Sequence, residues 1–327
     1  MSAPVCLIVN PSAGGGKAGR LAPAVENELR RLGLTVRRVE TTHLEHAREL
    51  GLEAAQAAET VVALSGDGML GVLADALRAV PGSLLGVLPG GRGNDFARVL
   101  GIADDAIAAC ATIAGGVARL VDLGVVAAGA APAGENRARV GELGGNQAFV
   151  GIASCGFDSD ANRIANEAPA WLGGLVYAYG ALRALISWRP ARFEIALEPQ
   201  GERHAFSGFT VAAANSKAYG GGMHMAPDAL LDDGLLEIVI VEKVSKLRFV
   251  ANLPKVFSGK HVRESSVRVF RAREVTIDAD RPFTMYADGD PIGELPLRVS
   301  ALPGAVRMLV PEAGPVEQAF SPRTSAS

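Results

Sequence analysis

The 327-residue chain has only three cysteines, Cys6, Cys110 and Cys155, with no CxxC pair among them. Cysteines so far apart read as buried free thiols in a reducing cytoplasm. No run of about 20 uninterrupted apolar residues occurs, so no spanning helix is expected. The opening MSAPVCLIVN lacks a basic n-region and a cleavable apolar run, so no signal peptide is expected and a cytoplasmic location is. Net charge is slight, with 32 Lys and Arg against 35 Asp and Glu, or -3. That balance gives no polyanion-binding signal and argues against nucleic acid as a partner. Histidine is scarce and without zinc-site spacing. His43 and His46 share a helical face without a nearby acid or cysteine and read as solvent-facing. No internal repeat is present.

What is there points to a folded, two-domain chain, 49% hydrophobic and carrying 39 glycines. The first third alternates apolar strands (VCLIVN, TVVALSG, LLGVLPGG) with helical stretches, the pattern of a parallel sheet covered on both faces. After ARLVDLGVV comes a polar Ala/Gly/Pro-rich loop, and then short strands dominate, which predicts a largely antiparallel β-rich second domain. The residue pattern places an α/β domain at 1–125, with 305–315 a candidate to complete it, a β-rich domain at 126–304 and a disordered tail at 313–327. The segment Pro169–Pro190 carries only Arg183 and Arg189 as charges. It reads either as a core helix or as an apolar face touching a bilayer, with Trp171, Tyr177, Tyr179 and Trp188 near its edges.

Three Gly-rich turns close the first strands. Asn10-Pro11-Ser12-Ala13-Gly14-Gly15-Gly16-Lys17-Ala18 looks like a Walker A loop, but Pro11 stands at its first glycine and Ala18 where the metal-binding hydroxyl belongs. The second turn is Ser65-Gly66-Asp67-Gly68-Met69 and the third is Pro89-Gly90-Gly91-Arg92-Gly93-Asn94-Asp95. Glycines at a strand-to-helix junction let phosphate oxygens approach backbone N–H groups. An acid inside such a turn repels bare phosphate and makes sense when Mg²⁺ lies between, which points to Asp67 and Asp95.

NPSAGGGKA, SGDGM, PGGRGNDFARVLGI, DLG at Asp122–Gly124, PDALLDDGLLEIVIV and ADGDPI follow one another in this order. In order and approximate spacing they resemble the diacylglycerol kinase catalytic-domain family, which includes bacterial lipid kinases and sphingosine and ceramide kinases. The resemblance runs from Val5 to about Pro311. It implies an α/β domain of the NAD kinase and 6-phosphofructokinase type followed by a β-rich domain, with ATP and Mg²⁺ in the cleft. It also implies nucleotide contacts at Asn10, Thr41, Gly66, Asp67, Gly68, Met69 and Arg92, with Asn94 bracing the third turn. Catalytic Mg²⁺ would rest on Asp67 with Asp95 and Asp122. A structural Mg²⁺ would rest on Asp233 and the carbonyls of Leu230 and Leu235. Asp290 stands where the family places a catalytic base.

Three positions depart from the family pattern. Met69 and Arg92 each stand where Thr is common, and the usual Asp-Gly-Glu reads Asp288-Gly289-Asp290. The resemblance implies an ATP- and Mg²⁺-dependent lipid kinase with diacylglycerol as the leading acceptor and a sphingoid base or other lipid alcohol next. Its partner would be a membrane lipid met through peripheral contact, and a homodimer stays open. An NAD kinase shares the GGDGT-like turn, but the NDFAR block and DDGLLEIVIV favour the lipid kinases. A nucleotide- or lipid-binding protein without catalysis is the remaining alternative, allowed by Met69, Arg92 and Asp290. The Gly156–Asn166 stretch resembles the family segment beside the acceptor, although its acids also suit a helix cap.

Overall fold

The computed structural model describes residues 4–128, 146–166 and 176–322. Its first third is the alternation expected from the sequence. The strands are β1 (Val5–Val9), β2 (Val36–Glu40), β3 (Thr60–Ser65) and β4 (Leu84–Pro89), and they pair in parallel in the order β2-β1-β3-β4. Their apolar runs are buried because helices cover both faces. Helix α1 (Ala13–Arg31) packs beside α5 (Ala106–Gly115), and α2 (Leu44–Gln56) packs beside α3 (Asp67–Leu77). In such a sheet the ligand crevice lies beyond the carboxyl ends of the strands where the winding reverses, here between β1 and β3. All three Gly-rich turns open there.

Helix α1 does not begin as a regular helix. Gly14, Gly15 and Gly16 are left-handed, with φ of 61°, 66° and 84°, so the helical path starts at Lys17. The short α4 (Asp95–Val99) follows β4, and the long strand β5 (Val117–Ala128) leads out of the domain.

The second domain is antiparallel and β-sandwich-like. Its strands are β6 (Gln147–Phe149), β7 (Ile152–Gly156), β8 (Ala191–Glu198), β9 (Glu202–Ala214), β10 (Leu236–Glu242), β11 (Val267–Ala272), β12 (Glu274–Ala279), β13 (Thr284–Ala287), β14 (Asp290–Glu294) and β15 (Leu297–Val310). Helices α6 (Phe157–Asn166), α7 (Val176–Ser187) and α8 (Lys246–Val256) pack on or beside them. Strand β8 shows the simple alternation of a half-buried strand, with Ala191, Phe193, Ile195 and Leu197 inward. The two domains share one sheet. Strand β15 runs antiparallel to β12 and β5, and its end pairs in parallel with β4 through Arg307 and Met308. The C-terminal strand therefore completes the first domain's sheet.

One expectation is corrected. The chain after Glu312 is not a disordered tail through its described part. Pro315–Ala319 form a 3-10 helix, and Val316, Ala319 and Phe320 are buried. The Arg119 guanidinium lies 3.8 Å above the Phe320 ring, and the Leu231 N–H donates to the Ala319 carbonyl. Three apolar side chains spaced for one helical turn were hidden among polar neighbours. Residues 323–327 lie outside the described part. Of the two readings of Pro169–Pro190, the core one holds at Trp188, which is buried among Phe157, Phe209 and Phe283, whereas Tyr179 and Ile186 are exposed. Trp171 and the Tyr177 side chain lie outside the described part. The three cysteines are free and buried, as expected.

A chain ending at Glu312 loses the burial of Val316, Ala319 and Phe320 and should be less stable by roughly 3 kcal/mol. Urea unfolding monitored by circular dichroism measures this. An unchanged midpoint would mean that the segment contributes nothing.

Candidate active site

The three turns are held against one another by contacts that only glycine permits. A Cβ on Gly91 would stand 2.5 Å from the Gly66 Cα, so the second and third turns touch backbone to backbone. The Ser65 carbonyl accepts from both Gly90 and Gly91 N–H. Asn94 closes the third turn. It is left-handed at φ 52° and buried, its Oδ1 accepts from Gly91 N–H at 2.7 Å, and its amide donates to the Gly91 carbonyl at 3.1 Å. In the first turn the Asn10 Oδ1 accepts from the Ser12 N–H and hydroxyl. Thr41, buried at the end of β2, donates its N–H to Val9. Lys17 and the exposed Arg92 make no hydrogen bond or ion pair among the described residues, leaving two cations beside the turns.

Asp67 sits at the mouth of α3 and reaches across to α4. Its two oxygens accept from the N–H groups of Asp95 and Phe96, both at 3.1 Å. Burial above all, and then the Asp95 charge, raise its carboxyl above the usual range, opposed by the two N–H bonds. Asp67 therefore also caps α4. Asp95 lies beside it, and the two carboxylates straddle Gly93, at 3.0 Å and 3.7 Å from where its Cβ would be. Arg98 donates to the Asp95 Oδ1 at 2.9 Å and Gly221 N–H to its Oδ2 at 2.7 Å.

The turn between β13 and β14 completes the site from the other domain. A Cβ on Gly68 would lie 2.6 Å from the Asp290 Oδ2, so the carboxylate rests on the first turn of α3. Asp290 is exposed as a residue, yet packing against that helix desolvates its carboxyl and raises it. Asp288, two residues earlier and left-handed at φ 52°, points the other way. It accepts from Val150 N–H at 2.8 Å and Gly151 N–H at 2.9 Å, and it lies against Gly71. Burial, with repulsion from Asp67 and Asp290, pushes its carboxyl up to about 7. Asp67, Asp95, Asp288 and Asp290 thus crowd four acids around one helix start.

These donors fit Mg²⁺. They are oxygens only, and among the described residues no three His, Cys, Asp or Glu side chains converge as a metal cage. An ion on Asp67 and Asp95 would draw its other ligands from phosphate and water, as Mg²⁺ does in kinases.

Three further expectations meet a different geometry. The Met69 side chain is buried in the core, so only its backbone can face a nucleotide. Asp122 is not brought to Asp67. Its oxygens accept from Gly234 N–H at 2.6 Å and Gly304 N–H at 2.7 Å, and its neighbouring charges are Asp233 and Asp232. It anchors the 231–235 loop to β5. At the expected structural Mg²⁺ site, the Asp233 carboxylate accepts from Arg271 and from Leu235 N–H. The Arg271 guanidinium is the positive charge beside Asp233, as Arg98 is beside Asp95.

Sequence reasoning missed Asp288, Asn215 and Gly221. Asn215 is buried, and its amide donates to the carbonyls of Asp122 and Val150 at 2.9 Å each. Asp158 is also buried by its surroundings and pushed up to about 6. It accepts from Thr210 and Tyr219, and Tyr219 begins the loop that delivers Gly221 to Asp95. An Asp-Gly turn is a known home for left-handed Asp, which was the available signal for Asp288.

Residues 4–126 match the family model for the diacylglycerol kinase catalytic domain, and residues 151–310 match the YegS C-terminal NAD kinase beta sandwich-like domain. The chain is 31% identical over 316 residues to a diacylglycerol kinase of Mycobacterium tuberculosis (strain ATCC 25618 / H37Rv), covering 95% of this chain and 96% of that relative. It is 27% identical to a diacylglycerol kinase of Bacillus subtilis (strain 168), covering 89% and 90%. It is 29% identical to the probable lipid kinase YegS of Salmonella arizonae, covering 82% of each. A solved structure from Bacillus anthracis str. Sterne superposes with a TM-score of 0.76 at 20% identity over 94% of this chain and 95% of that chain, a likeness of fold.

The Asp288 geometry predicts a sign. Between about pH 4 and pH 7 the folded chain keeps a proton that the unfolded chain has released, so this group's contribution to stability falls as pH rises through that window. In metal-free buffer, Asp288→Asn should flatten the fall of unfolding free energy with pH. Urea titrations at several pH values measure it, and identical slopes in both proteins would contradict it.

Proposed function

This chain belongs to the diacylglycerol kinase catalytic-domain family and is a lipid kinase; we propose that it transfers the γ-phosphoryl group of ATP, with Mg²⁺, to the hydroxyl of diacylglycerol, giving phosphatidic acid. The observation that carries the reading is the Asp290 carboxylate resting on Gly68 beside Asp67, where two domains meet over Gly-rich turns.

Backbone N–H groups of the turns, together with Lys17 and Arg92, bind and orient the phosphates. Asp67 and Asp95 would hold Mg²⁺, which when bound neutralises charge on the phosphates. Asp290 accepts the proton of the lipid hydroxyl as its oxygen bonds to the γ-phosphorus and the bond to the ADP oxygen breaks. Asp is one methylene shorter than the Glu usual in the family. The close seat on Gly68 brings its oxygens forward to the helix start and supports compensation by the turn. A sphingoid base or another lipid alcohol uses the same chemistry.

Asp290→Asn should lower lipid phosphorylation by at least ~100-fold, about 2.7 kcal/mol of barrier. Asp290→Glu should also be impaired, because the added methylene moves the carboxylate off its seat on Gly68. Radiolabelled ATP supplied with diacylglycerol micelles or with NAD reads both variants and the acceptor. Label in the lipid is expected. Label in NAD would replace the reading by an NAD kinase, ATP binding without any labelled lipid would make the chain a sensor, and near-native turnover of Asp290→Asn would remove the base.

A further inference from the structure

Helix α8 is unusual in having no buried residue. Its inner side is Phe249, Asn252, Leu253 and Val256, all half-buried, and the Phe249 ring stacks on Phe209 at 4.3 Å and meets Phe157 at 4.8 Å. Its outer side is also apolar. Leu247, Val250, Pro254 and Phe257, spaced three, four and three apart, share one stripe. Leu247 is 85%, Phe257 55% and Val250 44% exposed. Lys246 donates to the carbonyl of Ile186 at the end of α7, which brings that residue, 69% exposed, beside the stripe. A soluble helix normally turns its apolar stripe inward, so an outward one needs something to cover it.

The charge around the stripe says what. From Lys243 to Arg263 the chain carries six Lys and Arg and no Asp or Glu, although the whole protein has a net charge of -3. Lys246 borders the stripe on one side, and Arg248 and Lys255 on the other. Glu264 pairs with Arg248 and Lys255 at the base of the helix, which leaves Lys243, Lys246, Lys260 and Arg263 without an acidic partner among the described residues. An apolar stripe flanked by cations is the pattern of a helix lying in a membrane interface. Its position suits the reaction. The Val256 carbonyl accepts from His224 N–H, next to the Tyr219–Met223 turn that sends Gly221 to Asp95.

We propose that α8, with the end of α7, is the surface by which this protein docks on an anionic lipid bilayer, inserting Leu247, Val250 and Phe257 among the acyl chains while the flanking cations meet headgroups. The surface rests on the lipid-kinase assignment, not on which lipid accepts the phosphoryl group. It keeps only the end of the Pro169–Pro190 segment, at Ile186, in the membrane contact and adds α8, while Trp188 belongs to the core.

The test is sedimentation of the full chain, without nucleotide, with phosphatidylcholine vesicles and with vesicles containing phosphatidylglycerol as well. Binding should need the anionic lipid and weaken with salt. Leu247→Gln with Phe257→Gln, and separately Lys243→Glu with Lys246→Glu, should each bind at least ~10-fold more weakly. Both variants should melt like the parent and keep its rate on a short-chain diacylglycerol dissolved as monomers. Unchanged vesicle binding would overturn the proposal. So would a dimer in sedimentation velocity that Leu247→Gln with Phe257→Gln dissolves, because the stripe would then belong to a second copy. Vesicle binding is read without turnover, so failure of the ATP-to-diacylglycerol reading and failure of this one are separately visible.

Discussion

The structure depends on a close approach between the turn at Ala287–Asp290 and the start of helix α3. Gly68 and Gly71 leave two hollows on that helix, one turn apart, and Asp290 and Asp288 occupy them from the other domain. Any side chain at either glycine would collide with a carboxylate oxygen. The two acids have different tasks because they face different ways. Asp288 is tied down by Val150 and Gly151 N–H and fixes the turn, whereas Asp290 remains reachable from the cleft.

Around this contact the chain gathers more negative charge than it can balance itself. Arg98 pairs with Asp95 and acts on Asp67 by its charge, and among the described residues the hydrogen bonds to Asp67 and Asp288 come from backbone N–H groups. The crowding raises Asp67 and Asp288 above the ordinary carboxylate range, in each case chiefly through burial. Repelling acids kept together in a cleft favour a divalent cation, since its binding relieves both desolvation and repulsion. The turns beside them offer N–H groups, Lys17 and Arg92. Negative and positive halves of one pocket suit a metal-bound polyphosphate.

Much of this was legible in the chain, because local chemistry decides it. Apolar strands ending in Gly-rich turns specify the parallel sheet and where its turns collect, and Asn94 and Asp67 lie where the motifs put them. What was not legible depends on contacts between distant segments. Asp122 stands in sequence as a lone acid between apolar runs, followed by Leu-Gly. Only the fold shows that β5 carries it to Gly234 and Gly304. Asp233 sits in an inviting acidic turn, yet Arg271 arrives from β11 to neutralise it. Phe320 and Val316 look like tail residues until β15 returns the chain to the first domain. Helix α8 has an apolar stripe at helical spacing, and spacing alone does not show which way a stripe faces.

The central claim is that Asp290 works from its seat on Gly68. A double-mutant cycle on turnover tests it, using Gly68→Ala, Asp290→Asn and the pair, with thermal melts as the folding control. The added methyl should displace the carboxylate by about an ångström and cost roughly 100-fold in turnover, because misplacement of that size is enough. Asp290→Asn should then add little in the Gly68→Ala background, since the base is already out of position. Turnover near that of the parent in a well-folded Gly68→Ala, or fully additive losses in the pair, would contradict it.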